Sequence, residues 1–228
     1  MTENNVPGDA ATPASSDQEQ ENNELEEIVE DFAMFNQAAN NNRVHILAEL
    51  KRLLIVGDSV LELGSGSGQH AAFFASEMPG VTWMPTDRGP YFSALDANLS
   101  RLNLANLERV QYLDVEEFPE GLSADVAFCA NVLHIMPESL IPNLFAGVAE
   151  CLGGHGTLVI YGPFKYDGEF TTPSNEQFDG WLKDQEDWQG IRDIEVVVSE
   201  AERNGMRLAE DVAMPANNQL LVFRTTSH

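Results

Sequence analysis

The chain has 228 residues, enough for one sizeable α/β domain and a tail. Its formal net charge is −25, and a field of that sign repels nucleic-acid phosphates and anionic membrane surfaces, so neither is an expected partner. Residues 1–31 hold ten Asp or Glu and no Lys or Arg; without those ten the charge is still −15, a solubilising surface rather than a local patch.

Two cysteines, Cys129 and Cys151, form neither a disulfide framework nor a metal-ligand spacing. A reducing compartment is expected and no metal site. The N-terminus lacks a basic stretch followed by an apolar one, and no apolar run reaches the roughly 18 residues of a membrane helix. A soluble, cytoplasmic protein is the expectation.

Residues 1–27 are rich in Glu, Asn, Gln, Ser, Pro and Ala. They cannot bury enough apolar surface to offset chain entropy and read as a disordered acidic tail, with a folded domain over 28–228. Ile46, Leu47, Leu50, Leu53 and Leu54 follow helical spacing. "SVLEL" (59–63) reads as a buried strand and "GQHAAFFASEM" (68–78) as a helix stopped by Pro79-Gly80. "VTWMPTD" (81–87) is the next strand, and Tyr91, Phe92, Leu95, Leu99 and Leu102 mark a helix. "VQYLDV" (110–115) and "DVAFCANVL" (125–133) are strands three and four. Ile141 to Leu152 is a helix ended by Gly153-Gly154, and "TLVIYGPF" (157–164) is strand five.

An insertion-like stretch with Trp181 and Trp188 follows, then a helix over Ile194 to Ala201. "RLAEDVAM" (207–214) and "QLLVFRT" (219–225) are joined only by "PANN", too short for a parallel crossover, so they pair antiparallel. Alternating strands and helices predict a mostly parallel, seven-stranded sheet with an antiparallel last strand and helices on both faces, a Rossmann-like α/β fold.

The informative stretch is "VLELGSGSGQHAAFF" (60–74). The dinucleotide fingerprint is G-x-G-x-x-G. Here Gly64, Gly66 and Gly68 are spaced G-x-G-x-G, and Gln69 stands where the fingerprint needs its last glycine. Glu62 at the strand end is a poor companion for a pyrophosphate and suits a ligand carrying a cation. Asp87 ends the next strand, nineteen residues after Gly68, where a carboxylate accepts ribose hydroxyls. Asp114 lies near the end of strand three, where an adenine edge would come. An adenosine with an amino-acid tail and a sulfonium, S-adenosylmethionine (SAM), matches this set.

Glu62-Leu63-Gly64-Ser65-Gly66-Ser67-Gly68 resembles the first motif of class I SAM-dependent methyltransferases. Asp87 resembles their ribose-binding acid, and Asp114-Val115 their adenine-side motif. The resemblance covers about residues 45–225. A narrower one rests on "SGSGQHAAFFA" (65–75), "LHIMP" (133–137), "YGPFK" (161–165), "SNEQFD" (174–179), "GIRD" (190–193) and "MPANN" (214–218). Together they are similar to a little-characterised group that includes methyltransferase-like protein twenty-six. Family members tend to read "PAAERN" where this chain has "QAANNN" (37–42), so Asn40 and Asn41 stand in place of a Glu and an Arg. The resemblance implies the fold and SAM dependence; it supplies no substrate.

Methyl transfer needs an acceptor atom held in line with the methyl carbon and shielded from water. Acceptor-side residues are expected after strands four and five. His134 is a candidate base, or else a locally packed histidine; Tyr161 either lines the acceptor site or caps the sheet. Asn131 follows strand four on the cofactor side. Lys165 either neutralises an acidic acceptor or is a surface charge, and Asn217 and Asn218 shape a turn or touch the acceptor. Arg43 is a candidate partner of the SAM carboxylate, or a helix-surface charge, and His70 either touches the methionine portion or steadies the helix. No Asn-Pro-Pro-Tyr motif follows strand four, and Cys129 is not preceded by Pro, so nucleic-acid methylation patterns are absent.

The expectation is a methyltransferase for a small-molecule acceptor, with oligomeric state left open. The rival readings are a SAM-binding module without turnover and a dinucleotide oxidoreductase, against which the glycine spacing and the last strand argue. A basic peptide acceptor also suits the acidic surface.

Overall fold

A computed structural model describes residues 24–226. Most of the expected tail, residues 1–23, lies outside the described residues. Residues 24–27 instead open a helix, α1 (24–30), because Leu25 and Ile28 pack against a core that buries Val29 and Phe32.

The elements then run α2 (Gln37–Leu53), β1 (Ser59–Leu63), α3 (Gln69–Glu77), β2 (Thr82–Asp87), α4 (Gly89–Leu99), β3 (Gln111–Tyr112), β4 (Val126–Ala130), α5 (Ile141–Leu152), β5 (Thr157–Gly162), β6 (Phe164–Tyr166), β7 (Glu169–Phe170), α6 (Pro173–Gln185), β8 (Arg192–Asp193), α7 (Ile194–Arg203), β9 (Met206–Met214) and β10 (Asn218–Thr225). Seven strands form one sheet in the order β3-β2-β1-β4-β5-β10-β9. The first five are parallel, and β10 runs antiparallel to both β5 and β9. This is the expected α/β architecture.

Side chains alternate across the strands, so neighbours feed different cores. Val60 with Trp83, Phe128 and Val159 meets Ile46, Leu50, Phe74 and Leu95 on one face. Leu61 with Ala127, Leu158 and Leu221 meets Leu144, Phe145, Val148 and Val197 on the other. The strand order reverses at β1 and β4, and the crevice at their C-terminal ends is where open α/β sheets hold ligands.

Two expectations are corrected. Strand three is only Gln111–Tyr112: it is the sheet edge, and after Leu113 the backbone turns, with the Glu117 N–H donating to the Asp114 carbonyl at 3.1 Å. The stretch around Trp181 is no loose insertion. It comprises α6 and a small sheet of order β7-β6-β8, with Thr172 capping α6 through the Asn175 N–H and Pro173 opening it. Among the described residues, no helix is long and apolar enough to cross a membrane.

Candidate functional site

A cleft of about 1330 Å³ runs along the C-terminal ends of the parallel strands. Gly64 to Ser67, Asp87, Arg88, Tyr91, Leu113 and Val115 line one end, and His134, Phe178, Trp181, Trp188, Asn217 and Asn218 the other. Ligand pockets commonly hold about 300–1,000 Å³, so two small molecules can share this one.

The three glycines of the loop after β1 are needed for different reasons. All have positive φ, at 69° for Gly64, 58° for Gly66 and 88° for Gly68. A Cβ on Gly68 would meet Leu99 at 2.8 Å and Leu95 at 2.9 Å, and one on Gly64 would meet Val132 at 2.8 Å. A Cβ on Gly66 would meet nothing within 4 Å. Gly68 thus lets α3 settle on α4, whereas Gly66 leaves open space above the loop backbone for a ligand.

The loop is stitched to β2. The Ser65 N–H donates to the Thr86 carbonyl at 2.9 Å, and the Gly66 N–H donates to Asp87 Oδ2 at 2.7 Å. Asp87 Oδ1 accepts the Arg88 N–H, also at 2.7 Å. Burial raises the Asp87 pKa above its ordinary 3.8, against the pull of these two N–H donors. Each carboxylate oxygen keeps a free lone pair, so Asp87 can still accept a vicinal diol.

A strap crosses the loop from the N-terminal side. Asn98 accepts the Ala33 N–H and donates to the Ala33 carbonyl, both at 3.0 Å, and donates to the Ser67 carbonyl at 2.8 Å. Gln69 does the same to Asn36, at 2.6 Å and 3.1 Å. Two side-chain amides thus hold the strap as a sheet partner would. In α2, Asn42 Oδ1 lies 2.7 Å from His70 Nε2, and burial lowers the His70 pKa to about 4.

At the far end, Asn131 follows β4 with a positive φ of 60°. The chain then loops through His134, which is buried and meets Phe178 edge-on at 5.4 Å. Among the described residues, neither His134 ring nitrogen has a hydrogen-bond partner. Burial, and then the Arg192 charge, lowers its pKa to about 4, so the ring is neutral across the physiological range. Arg192 holds this loop. Its Nε donates to the Leu133 carbonyl at 3.0 Å, and Nη2 donates to the carbonyls of Met136 and Trp188 at 2.5 and 2.8 Å. The Gly190 N–H donates to the His134 carbonyl at 2.9 Å.

Of the residues singled out in the sequence, Gly64, Ser65, Gly66, His70, Asp87, Val115, Asn131, His134, Asn217 and Asn218 come together on the cleft wall. Six do not. Lys165 lies on β6, its Nζ 5.6 Å from the Phe170 ring centroid. Glu62 is buried behind the loop, where its carboxylate accepts the Trp83 indole N–H at 2.8 Å. Gly68 packs on α4. Asp114 takes the Arg88 guanidinium at 3.0 Å and the Glu116 N–H, leaving Leu113 and Val115 to face the cleft. Arg43 ties α2 to α1 through Glu26 at 2.7 Å and lies over the Phe73 ring at 4.6 Å. Tyr161 is buried one layer back, its hydroxyl beside the side chains of Asn42 and Asn218.

The sequence reading missed the amide clips of Gln69 and Asn98, and it missed Arg192 and the aromatic wall. A signal existed for the wall: Asn175, Phe178, Trp181, Leu182 and Gln185 share one face at helical spacing.

Sheet order and cleft define the fold of class I SAM-dependent methyltransferases, and solved structures carry the same fold. The pyocyanin biosynthetic protein PhzM matches with a TM-score of 0.65 and 22% identity over 79% of this chain and 54% of its own. Human N-acetylserotonin methyltransferase in complex with SAM matches with a TM-score of 0.68 and 15% identity, over 92% and 57%. An O-methyltransferase family 2 protein from Planctomyces limnophilus, in complex with apigenin, matches with a TM-score of 0.67 and 16% identity, over 83% and 60%. This chain therefore spans little more than half the length of these proteins.

The family model described as "Protein of unknown function (DUF938)" matches residues 33–225, and the chain belongs to that family.

Proposed function

We propose that this chain is a SAM-dependent methyltransferase that acts on a small-molecule acceptor. The observation that carries this reading is the shared cleft: the glycine loop with Asp87 lines one end, and an unpartnered neutral histidine lines the other. Gly64 to Ser67 would hold the methionine portion, Asp87 the ribose hydroxyls and Val115 the adenine. SAM, when bound, supplies an electrophilic methyl group.

His134 is the candidate catalytic base. The acceptor's O–H or S–H proton passes to an imidazole nitrogen of His134 as the acceptor atom attacks. Asn131 shapes the loop between the two ends. Tyr161 acts through Asn42 and Asn218 rather than on the acceptor. The motif set quoted above supports placing the chain with the methyltransferase-like protein twenty-six group, and the packing of Leu25 on the core supports starting the folded domain at α1, a few residues before residue 28.

Methyl-tritiated SAM, incubated with the full chain and the small-molecule fraction of a cell extract, tests the reading. Label transferred to a small molecule by the wild type, and not by His134→Ala, is the expected result. SAM binding with no label in small molecules, protein or nucleic acid would favour a binding module without turnover.

A further inference from the structure

We infer that the end of the cleft beyond His134 takes a planar ring bearing a positively charged substituent and disfavours the same ring bearing a carboxylate. This rests on the proposal above, in which that end holds the acceptor, and it names the acceptor's class.

The ring follows from the wall. Phe178 and Trp181 lie three residues apart on α6, their rings stacked 5.9 Å apart and 12° from parallel. The Phe178 ring is closed at one edge by His134, at 76°. Trp181 is still 55% exposed and Trp188 46% exposed, although both line the cleft. Large indole faces left open on a cavity wall favour a flat partner, because stacking removes apolar area from water and aligns the π-systems.

The charge follows from which ions are free. Among the described residues lining this end, Glu186 is the acidic side chain, and no Lys or Arg lines it. The Arg192 guanidinium is committed to the carbonyls of Leu133, Met136 and Trp188 and to Glu138. Lys183 is held by Asp179 at 2.6 Å. A carboxylate on the ligand would therefore meet Glu186 with no free side-chain cation among the described lining residues of this end to answer it. An ammonium would meet Glu186 and the indole faces together, both of which attract it. The −25 net charge of the chain acts in the same direction at long range.

Calorimetric titration of the full chain with tryptamine, tryptophol and indoleacetate tests this, with and without saturating S-adenosylhomocysteine. The three probes share a ring and differ in charge. Tryptamine is expected to bind about tenfold or more tighter than indoleacetate, with tryptophol between them. Glu186→Gln should shrink that preference, and Trp181→Ala should weaken all three; both side chains are exposed, so neither change empties the core. Indoleacetate binding as tightly as tryptamine, no probe binding, or Trp181→Ala leaving affinities unchanged would overturn the inference. Absence of S-adenosylhomocysteine binding alongside a clear tryptamine preference would instead count against the cofactor reading alone.

Discussion

The Arg192 Nε donates to the carbonyl of Leu133 at 3.0 Å across 59 residues of sequence. Through that bond and its partners at Met136 and Trp188, one buried guanidinium joins the loop that carries His134 to the segment that carries Trp188. Arg192→Met should leave these carbonyls without donors and cost about 2–3 kcal/mol of stability, since an orphaned buried polar group costs about 1–3 kcal/mol. Urea denaturation reads it directly. A loss within about 0.5 kcal/mol, the ordinary range for a surface site, would show that the loop holds itself.

The glycine loop gives a paired prediction. Gly68→Ala places a methyl group against Leu95 and Leu99 at a positive φ, and overpacking alone typically costs about 1–3 kcal/mol. Gly66→Ala carries only the backbone penalty of about 1–2 kcal/mol, but its methyl group enters the ligand's side of the loop. The first variant should lose more melting temperature and the second more SAM affinity relative to its stability. The opposite ranking in thermal denaturation and calorimetry would reverse the roles assigned to the two glycines.

Glu62 sets a pH dependence. Burial raises its pKa from 4.5 to about 7 despite the Trp83 N–H. Below pH 4.5 the carboxyl is protonated in both folded and unfolded chains and costs nothing. Above about 7 it is ionised in both, and the folded state bears the full penalty of about 3 kcal/mol. Glu62→Gln removes this charge and keeps an acceptor for Trp83. The variant should match the wild type in stability near pH 4 and exceed it by about 3 kcal/mol near pH 8. A gain that is the same at both pH values would place the cause elsewhere.

His134 gives a kinetic prediction. With its pKa lowered to about 4, it stays able to accept a proton well below neutrality. The methyl-transfer rate should then show no acid limb from this group between about pH 8 and about pH 5. His134→Ala should reduce kcat about 10²–10⁴-fold while leaving SAM affinity in place. An acid limb centred near the ordinary histidine value of 6.5 would contradict the environment assigned to this ring.

The parallel sheet was legible because β4 and most of β5 are apolar runs and strands alternate with helices along the chain, and the antiparallel ending because four residues cannot cross a sheet. Edge strand β3 was overread: Tyr112 is 53% exposed, and two residues carry little periodicity. The glycine loop and Asp87 announce themselves by chain spacing alone. The partners of Glu62 and Asp114, Trp83 and Arg88, were not legible for one shared reason. A carboxylate at a strand end reads alike in sequence whether it faces a ligand, an indole N–H or an arginine. Arg192, Gln69 and Asn98 act on backbone atoms far away in the chain, and such bonds leave no local pattern.

The proposed function requires that the end of the cleft formed by Gly64 to Ser67 and Asp87 hold SAM. Calorimetric titration of the full chain with SAM, S-adenosylhomocysteine and NAD in parallel tests it most directly. Micromolar binding of both adenosyl ligands, none of NAD, and a loss of about 1–3 kcal/mol in SAM affinity for Asp87→Ala are expected. Binding of NAD, or of neither adenosyl ligand, would contradict it.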